Sequence, residues 1–160
     1  MKQLTELTIR PVAEEDLDRV RRMFERSSPE TRYLRFFTGG ATVPENILRR
    51  LVEVDHDCRD AVVAVVDGEV IGMASYDRTA EHPDRAELAV VVEDVWQHHG
   101  VGARLVREVV RLARRRRVGV MVANVLSENQ RALRLMRGLS PDARTRLDGT
   151  ESSVEIPLAG

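Results

Sequence analysis

The residues best placed by type and spacing to do chemistry are Gln97-His98-His99-Gly100-Val101-Gly102, set between a valine-rich run and an amphipathic one. Glycines let a backbone pass close to a ligand, and the unpaired N–H groups of a first helical turn sit at the positive end of the helix dipole. Together they predict an anion site whose natural guest is a pyrophosphate. Two familiar phosphate loops fail on the residues. A P-loop needs Gly-Lys-Ser/Thr, whereas Gly102 is followed by Ala103-Arg104. A dinucleotide fingerprint needs a third glycine where Leu105 stands. A second polar signal is Glu87, which interrupts the otherwise apolar stretch Ala86 to Val92.

The elements that must position these residues follow from periodicity. Leu7 to Pro11 alternates and breaks at proline, which predicts a short first strand. Leu17, Val20 and Phe24 recur at helical spacing within Ala13 to Arg26. Ser27 to Gly40 carries an aromatic patch of Tyr33, Phe36 and Phe37 and closes at Gly39-Gly40. Thr42 and Glu45 have capping-box spacing before a helix bearing Ile47, Leu48, Leu51 and Val52. Ala61 to Val66 and Val70 to Tyr76 flank Asp67-Gly68, a hairpin signal. A loop through His82-Pro83-Asp84 leads to Ala86 to Val92, read as a central strand. Val101 to Arg117 is an amphipathic helix with Leu105, Val109 and Leu112 on its stripe, and Val118 to Leu126 is a strand. Ser127 with Gln130 predicts a cap for a last helix that bears Leu133 and Met136 and stops at Gly138. Arg144 to Leu147 and Val154 to Leu158 give two weak strands around Asp148-Gly149.

Composition narrows the classes. The 160 residues suit one domain, 1–160, able to bury a core without staples. A hydrophobic share of 42% against 32% charged argues for a globular protein and against disorder. Net charge is −1, so no basic field awaits nucleic acid or an anionic membrane. The N-terminus has no apolar signal core and no run reaches the ~20 apolar residues of a span, which reads as cytoplasmic. The single cysteine, Cys58, cannot close an internal disulfide, and His56, His82, His98 and His99 have no ligand set around them, so no metal is expected. The arginine run Arg114 to Arg117 reads as a solvated helix end.

With those phosphate loops excluded, the turn resembles the coenzyme-A loop of the GNAT acyltransferase superfamily. Its pattern is Gln or Arg, two residues, Gly, one residue, Gly or Ala, and Gln97, Gly100 and Gly102 fill it. The resemblance covers nearly the whole chain. It implies an α/β (α+β) fold, a mixed, mostly antiparallel central sheet flanked by helices, with splayed strands holding acetyl-CoA. By the same resemblance, backbone amides of His98, His99, Gly100, Val101, Gly102 and Ala103 hold the pyrophosphate. Backbone groups of Val90, Val91 and Val92 pair with the pantetheine amides, and Asn129 reaches the pantetheine arm. Ser28 to Phe37 is similar to the acceptor-side helix of bacterial Pat-type protein-lysine acetyltransferases, whose fused regulatory domains have no room in this length.

The implied reaction is acetyl transfer to an amine, with a protein lysine first and a small amine or antibiotic second. An acyl-CoA-binding regulatory module without turnover is the alternative. Deprotonating a lysine at pH 7 costs roughly 4 to 5 kcal/mol, so direct attack on the thioester calls for a base. Glu87 matches the acidic residue that the family places on this strand, and an apolar setting is expected to tune it. Many members protonate the departing thiolate with a Tyr seven residues after the Asn. Here that position is Met136, a thioether with no proton to give, leaving a water, Tyr33 or Tyr76. Monomer and homodimer are both compatible with the sequence.

Overall fold

The computed structural model describes residues 6–37 and 42–158. The expected Gly39-Gly40 boundary lies outside the described residues. Seven strands form one sheet in the order β1-β2-β3-β4-β5-β7-β6. They are β1 (Thr8–Pro11), β2 (Arg59–Val66), β3 (Glu69–Thr79), β4 (His82–Val92), β5 (Val120–Leu126), β6 (Arg144–Asp148) and β7 (Glu151–Pro157). Every pairing is antiparallel except β4 with β5. Helices α1 (Leu17–Arg26), α2 (Pro29–Phe36) and α3 (Glu45–Val52) cover one face, and α4 (Val101–Arg115) and α5 (Gln130–Arg137) the other. This is the mixed, mostly antiparallel α/β class that the sequence implies.

The local chemistry explains most boundaries. Asp67 and Gly68 both take left-handed backbone, φ 51° and 76°, the two-residue turn that matches strand twist and sets the β2–β3 register. The stripe on α4 buries Leu105, Val106, Val109 and Val110 against the sheet. Gly72 on β3 permits the approach: a Cβ there would stand 2.9 Å from Leu105 Cδ1. The opposite face packs Val20, Met23 and Phe24 of α1 and Leu48 and Val52 of α3 on Val63 and Met73.

Three helices separate β1 from β2, the middle one capped and started by Ser28-Pro29. Three expectations needed correction. The cap of α3 is Pro44, so Thr42 and Glu45 form no capping box. His82-Pro83-Asp84 belongs to β4, which begins before β5 joins it at Arg85, so a proline costs no ladder bond on that side. The side chain capping α5 is Asn129, whose Oδ1 accepts from the Ala132 N–H at 3.3 Å. Ser127 is spent elsewhere, on Gly149 O of the β6–β7 turn and Ser152 Oγ of β7.

Candidate active site

The parallel ladder between β4 and β5 holds for three residue pairs, Arg85 with Val120, Ala86 with Met121 and Glu87 with Val122. Past Glu87 the strands part: β4 continues to Val92 paired only with β3, and β5 continues to Leu126 paired only with β7. The gap leaves peptide groups on the β4 edge without a ladder partner. Their identity follows from antiparallel alternation. Glu93 N donates to Ile71 O at 2.9 Å, so two residues back Val91 also directs its peptide groups to β3, while those of Val90 and Val92 face the gap. Val90 and Val92 therefore present backbone hydrogen-bonding groups there, and Val91 does not.

The gap opens into a cavity of about 320 Å³ lined by Leu34, Arg35, Val90, Gln97, Gly102 and Asn129 among others. His98, Gly100, Val101 and Ala103 line it too, with Val91 and Val92, Arg131 and Leu135. His99 does not; its ring stands edge-on to Trp96, centroids 6.4 Å apart. His98 and Gly100 take φ 67° and 79°, which turn the chain so that α4 begins at Val101. Gly100 as N-cap has no side chain to satisfy the first-turn amides of Val101, Gly102 and Ala103, so those donors remain for an anion. A Cβ on Gly102 would touch Val92 and Leu135 at 3.6 and 3.7 Å, ordinary contact, as expected of a position where the loop pattern admits alanine.

Gln97 points inward. Its Nε2 donates to Val92 O at 2.9 Å and to Thr31 Oγ1 at 3.2 Å, and its Oε1 accepts from Arg131 at 3.2 Å. Asp94 extends the link, accepting from the Ser28 N–H and hydroxyl, both at 2.8 Å, and from the Thr31 hydroxyl at 3.1 Å. Burial works against the Asp94 charge, but these hydrogen bonds outweigh it and hold the carboxyl below its usual range. The turn before α4 is thus fastened to α2 and α5. Neither Thr31 nor Asp94 is singled out by sequence, although Ser28-Pro29 already marks the start of the helix that carries Thr31.

A second cavity, about 240 Å³, lies on the α1–α3 side and shares Arg35 with the first. Phe36, Ile47, Leu51, Val54 and Ala89 give it apolar walls, and Asp60, Asp77 and Glu87 supply carboxylates. Asp77 is paired with Arg50 at 3.0 Å. Asp60 accepts from its neighbour's N–H in Ala61 and meets His56 Nδ1, each at 2.8 Å. The carboxylate of Glu87, opposite Asp77 in the β3–β4 register, has no hydrogen bond or ion pair among the described residues. It is exposed, so the apolar setting expected for it is absent. Met136 is buried in the core at 2% exposure. Tyr76 lines the second cavity, but its hydroxyl donates to Asp57 O at 2.7 Å, and burial, with the Asp60 charge, raises its pKa.

The family model described as "Acetyltransferase (GNAT) family" matches residues 17–139. An acetyltransferase of Pseudomonas aeruginosa is 36% identical over 111 residues, which are 67% of this chain and 59% of that protein. The match therefore spans under two thirds of the curated relative's length. Among solved structures, the GNAT domain of S. lividans PAT superposes with TM-score 0.86 at 24% identity, covering 93% of this chain and 89% of that one. The yncA protein of Salmonella typhimurium, solved with its cofactor acetyl-CoA, gives TM-score 0.77 at 20% identity, covering 96% and 95%. These structural likenesses establish a shared fold. Among the described residues, no helix is long and apolar enough to cross a membrane.

Proposed function

Because the chain belongs to the acetyltransferase (GNAT) family, we propose that it moves an acetyl group from acetyl-CoA to a lysine side chain of a protein, with Glu87 as the base. The residues fit the donor. First-turn amides of α4 suit a pyrophosphate, the Val90 peptide groups and the Val92 N–H suit the amides of the pantetheine arm, and Asn129 lines the same cavity with its side-chain N–H₂ uncommitted among the described residues. Acetyl-CoA supplies the activated acetyl group; the protein holds it, orients the acceptor and removes a proton.

The observation that carries the acceptor half is the second cavity. Apolar walls from Ile47, Leu51 and Val54 accommodate a stem of methylenes, and the free carboxylate of Glu87 stands at the β4–β5 parting, where an amine would meet the thioester. Of the three carboxylates there, Glu87 alone is uncommitted among the described residues, so it can accept a proton without breaking an existing bond. Its exposure gives that proton a route to solvent. Acetyl-CoA and a lysine acceptor would meet in the cytoplasm.

The test uses a lysine peptide and a panel of small amines with Glu87→Gln, which keeps shape and removes basicity. Acetyl-CoA affinity should be retained while turnover falls roughly 10²- to 10⁴-fold near pH 7. The deficit should shrink toward pH 10, where more of the lysine is already neutral. Parental turnover across that range removes Glu87 from the mechanism. Release of free thiol with small amines alone, and none with peptides, rejects the lysine assignment. Binding without turnover on any acceptor identifies a regulatory module.

A further inference from the structure

Acyl transfer leaves a sulfur anion, and the side chain that many relatives use to protonate it is replaced by Met136, a buried thioether. Neither tyrosine fills the role. Tyr76 has committed its hydroxyl to the Asp57 carbonyl, and Tyr33, 39% exposed, lines neither cavity. What the wall between the cavities does contain is Arg35. It lines both, is half-buried, and its guanidinium has no hydrogen bond or ion pair among the described residues. Its guanidinium stands over the ring of its neighbour Phe36, 4.8 Å from the centroid, and that ring packs on Phe24.

We propose that Arg35 is the electrostatic partner of the departing thiolate, holding its negative charge in place of a proton donor. The proposal rests on acetyl-CoA as the donor and not on which amine accepts. In the step concerned, the acceptor nitrogen bonds to the acetyl carbon and the carbon–sulfur bond breaks with its electron pair on sulfur. The amine proton leaves to Glu87 or water. The thiolate stays ionised beside the guanidinium and takes a proton from solvent after release.

Three features make Arg35 the suitable cation. Arg131, the other arginine lining the donor cavity, is held by Gln97. Helix α2 is held in place by the bonds of Ser28 and Thr31 to Asp94, so Arg35 is carried on a fixed element. Burial disfavours its charge, pushing its pKa down, while the charge of Glu87 offsets part of that loss. An arriving anion would supply what this cation lacks, and a guanidinium presents several donors in a plane to do so.

The test titrates the thiol of coenzyme A bound to the full chain, by the ultraviolet absorbance of the thiolate, in the parent, Arg35→Lys and Arg35→Gln. Calorimetry with coenzyme A and with desulfo-coenzyme A, which lacks the sulfur, runs alongside. In the parent the bound thiol should ionise at lower pH than the free thiol, in Arg35→Lys less so, and in Arg35→Gln at or above the free value. Desulfo-coenzyme A should bind parent and Arg35→Gln within a few-fold. Turnover of Arg35→Gln should fall about 10²-fold, the cost of losing one electrostatic stabiliser, and Arg35→Lys should recover part of it. The same thiol titration in parent and Arg35→Gln overturns the proposal, including the case in which only the acceptor KM rises and Arg35 reads the acceptor. Arg35→Lys supplies the comparison if Arg35→Gln does not fold. Failure of the parent to bind either coenzyme overturns the acetyl-CoA reading itself, a distinct result.

Discussion

Gly100 and Gly102 lie two residues apart in one turn, and the structure assigns their replacement by alanine opposite signs. At Gly100 the backbone has φ 79°, where an alanine costs about 1 to 2 kcal/mol, and an added Cβ meets nothing within 4 Å, so no clash adds to that strain. Gly102 lies inside the first turn of α4 with ordinary φ, and its Cβ would rest at 3.6 and 3.7 Å from Val92 and Leu135. Alanine there should stabilise by about 0.5 to 1 kcal/mol through helix propensity. At about 2 to 4 °C per kcal/mol for a chain of this size, Gly100→Ala should melt roughly 4 °C lower and Gly102→Ala roughly 2 °C higher. Circular dichroism melts with and without millimolar acetyl-CoA measure both effects. Gly102→Ala should keep the ligand-induced rise, and Gly102→Glu should abolish it by placing a carboxylate against the first-turn amides. Shifts of the same sign for the two alanines would refute the backbone reasoning. An undiminished acetyl-CoA shift in Gly102→Glu would mean that the turn merely starts a helix.

Two further outcomes probe the frame around the site. Asp16 is buried and accepts from Arg10 at 2.7 and 2.8 Å and from the Ala13 N–H at 2.8 Å. The Arg10 hydrogen bonds lead in holding its carboxyl below the usual range, against the opposing effect of burial. A carboxylate depressed on folding contributes stability in full above its unfolded pKa of about 3.9 and loses it as pH falls through the lower folded value. Asp16→Asn should therefore cost about 2 kcal/mol at pH 7 by urea denaturation, and the gap from the parent should close on acidification below about pH 4; a constant gap down to pH 2.5 would contradict this. Gly72→Ala, whose Cβ would meet Leu105 Cδ1 at 2.9 Å and Val91 O at 3.3 Å, should cost about 1 to 3 kcal/mol in the same assay. An unchanged denaturation midpoint would show that Leu105 yields freely.

The elements of the proposed donor half are legible in the sequence because they are built on backbone. A valine run, a turn with glycine at its left-handed position and an amphipathic stripe are local patterns, and they recover β4, Gly100 and α4 within a few residues. The proposed acceptor cavity is made of side chains brought together from α2, α3, β3 and β4, and no local pattern reports that Arg35 and Glu87 border one cavity. The boundary errors have the same origin. Ser127 and Asn129 both have cap chemistry, and the choice falls to Asn129 because the Ser127 hydroxyl, just past β5, bonds to Ser152 Oγ on the neighbouring strand β7 at 2.8 Å. The apolar run around it made Glu87 look enclosed, yet strand alternation turns it to the face opposite buried Ala86 and Leu88, where it is exposed.

That parting also explains why the motif glutamine faces inward. A strand leaving its neighbour exposes peptide groups that must find partners, and Val92 is the last residue of β4. Gln97 Nε2 takes the Val92 carbonyl, so the open edge ends there and the Val90 peptide groups remain for a ligand. The same side chain accepts from Arg131 on α5 and donates to Thr31 on α2. One residue therefore terminates the gap between the strands and fixes the two helices that border it. The turn before α4 and the helix carrying Arg35 share a hydrogen-bonded frame, tied directly by the bond from Gln97 to Thr31. In the proposed reaction, where a thioester and an amine would meet from two separate cavities, such a tie matters because loss of about 1 Å of register can cost on the order of 10²-fold in rate.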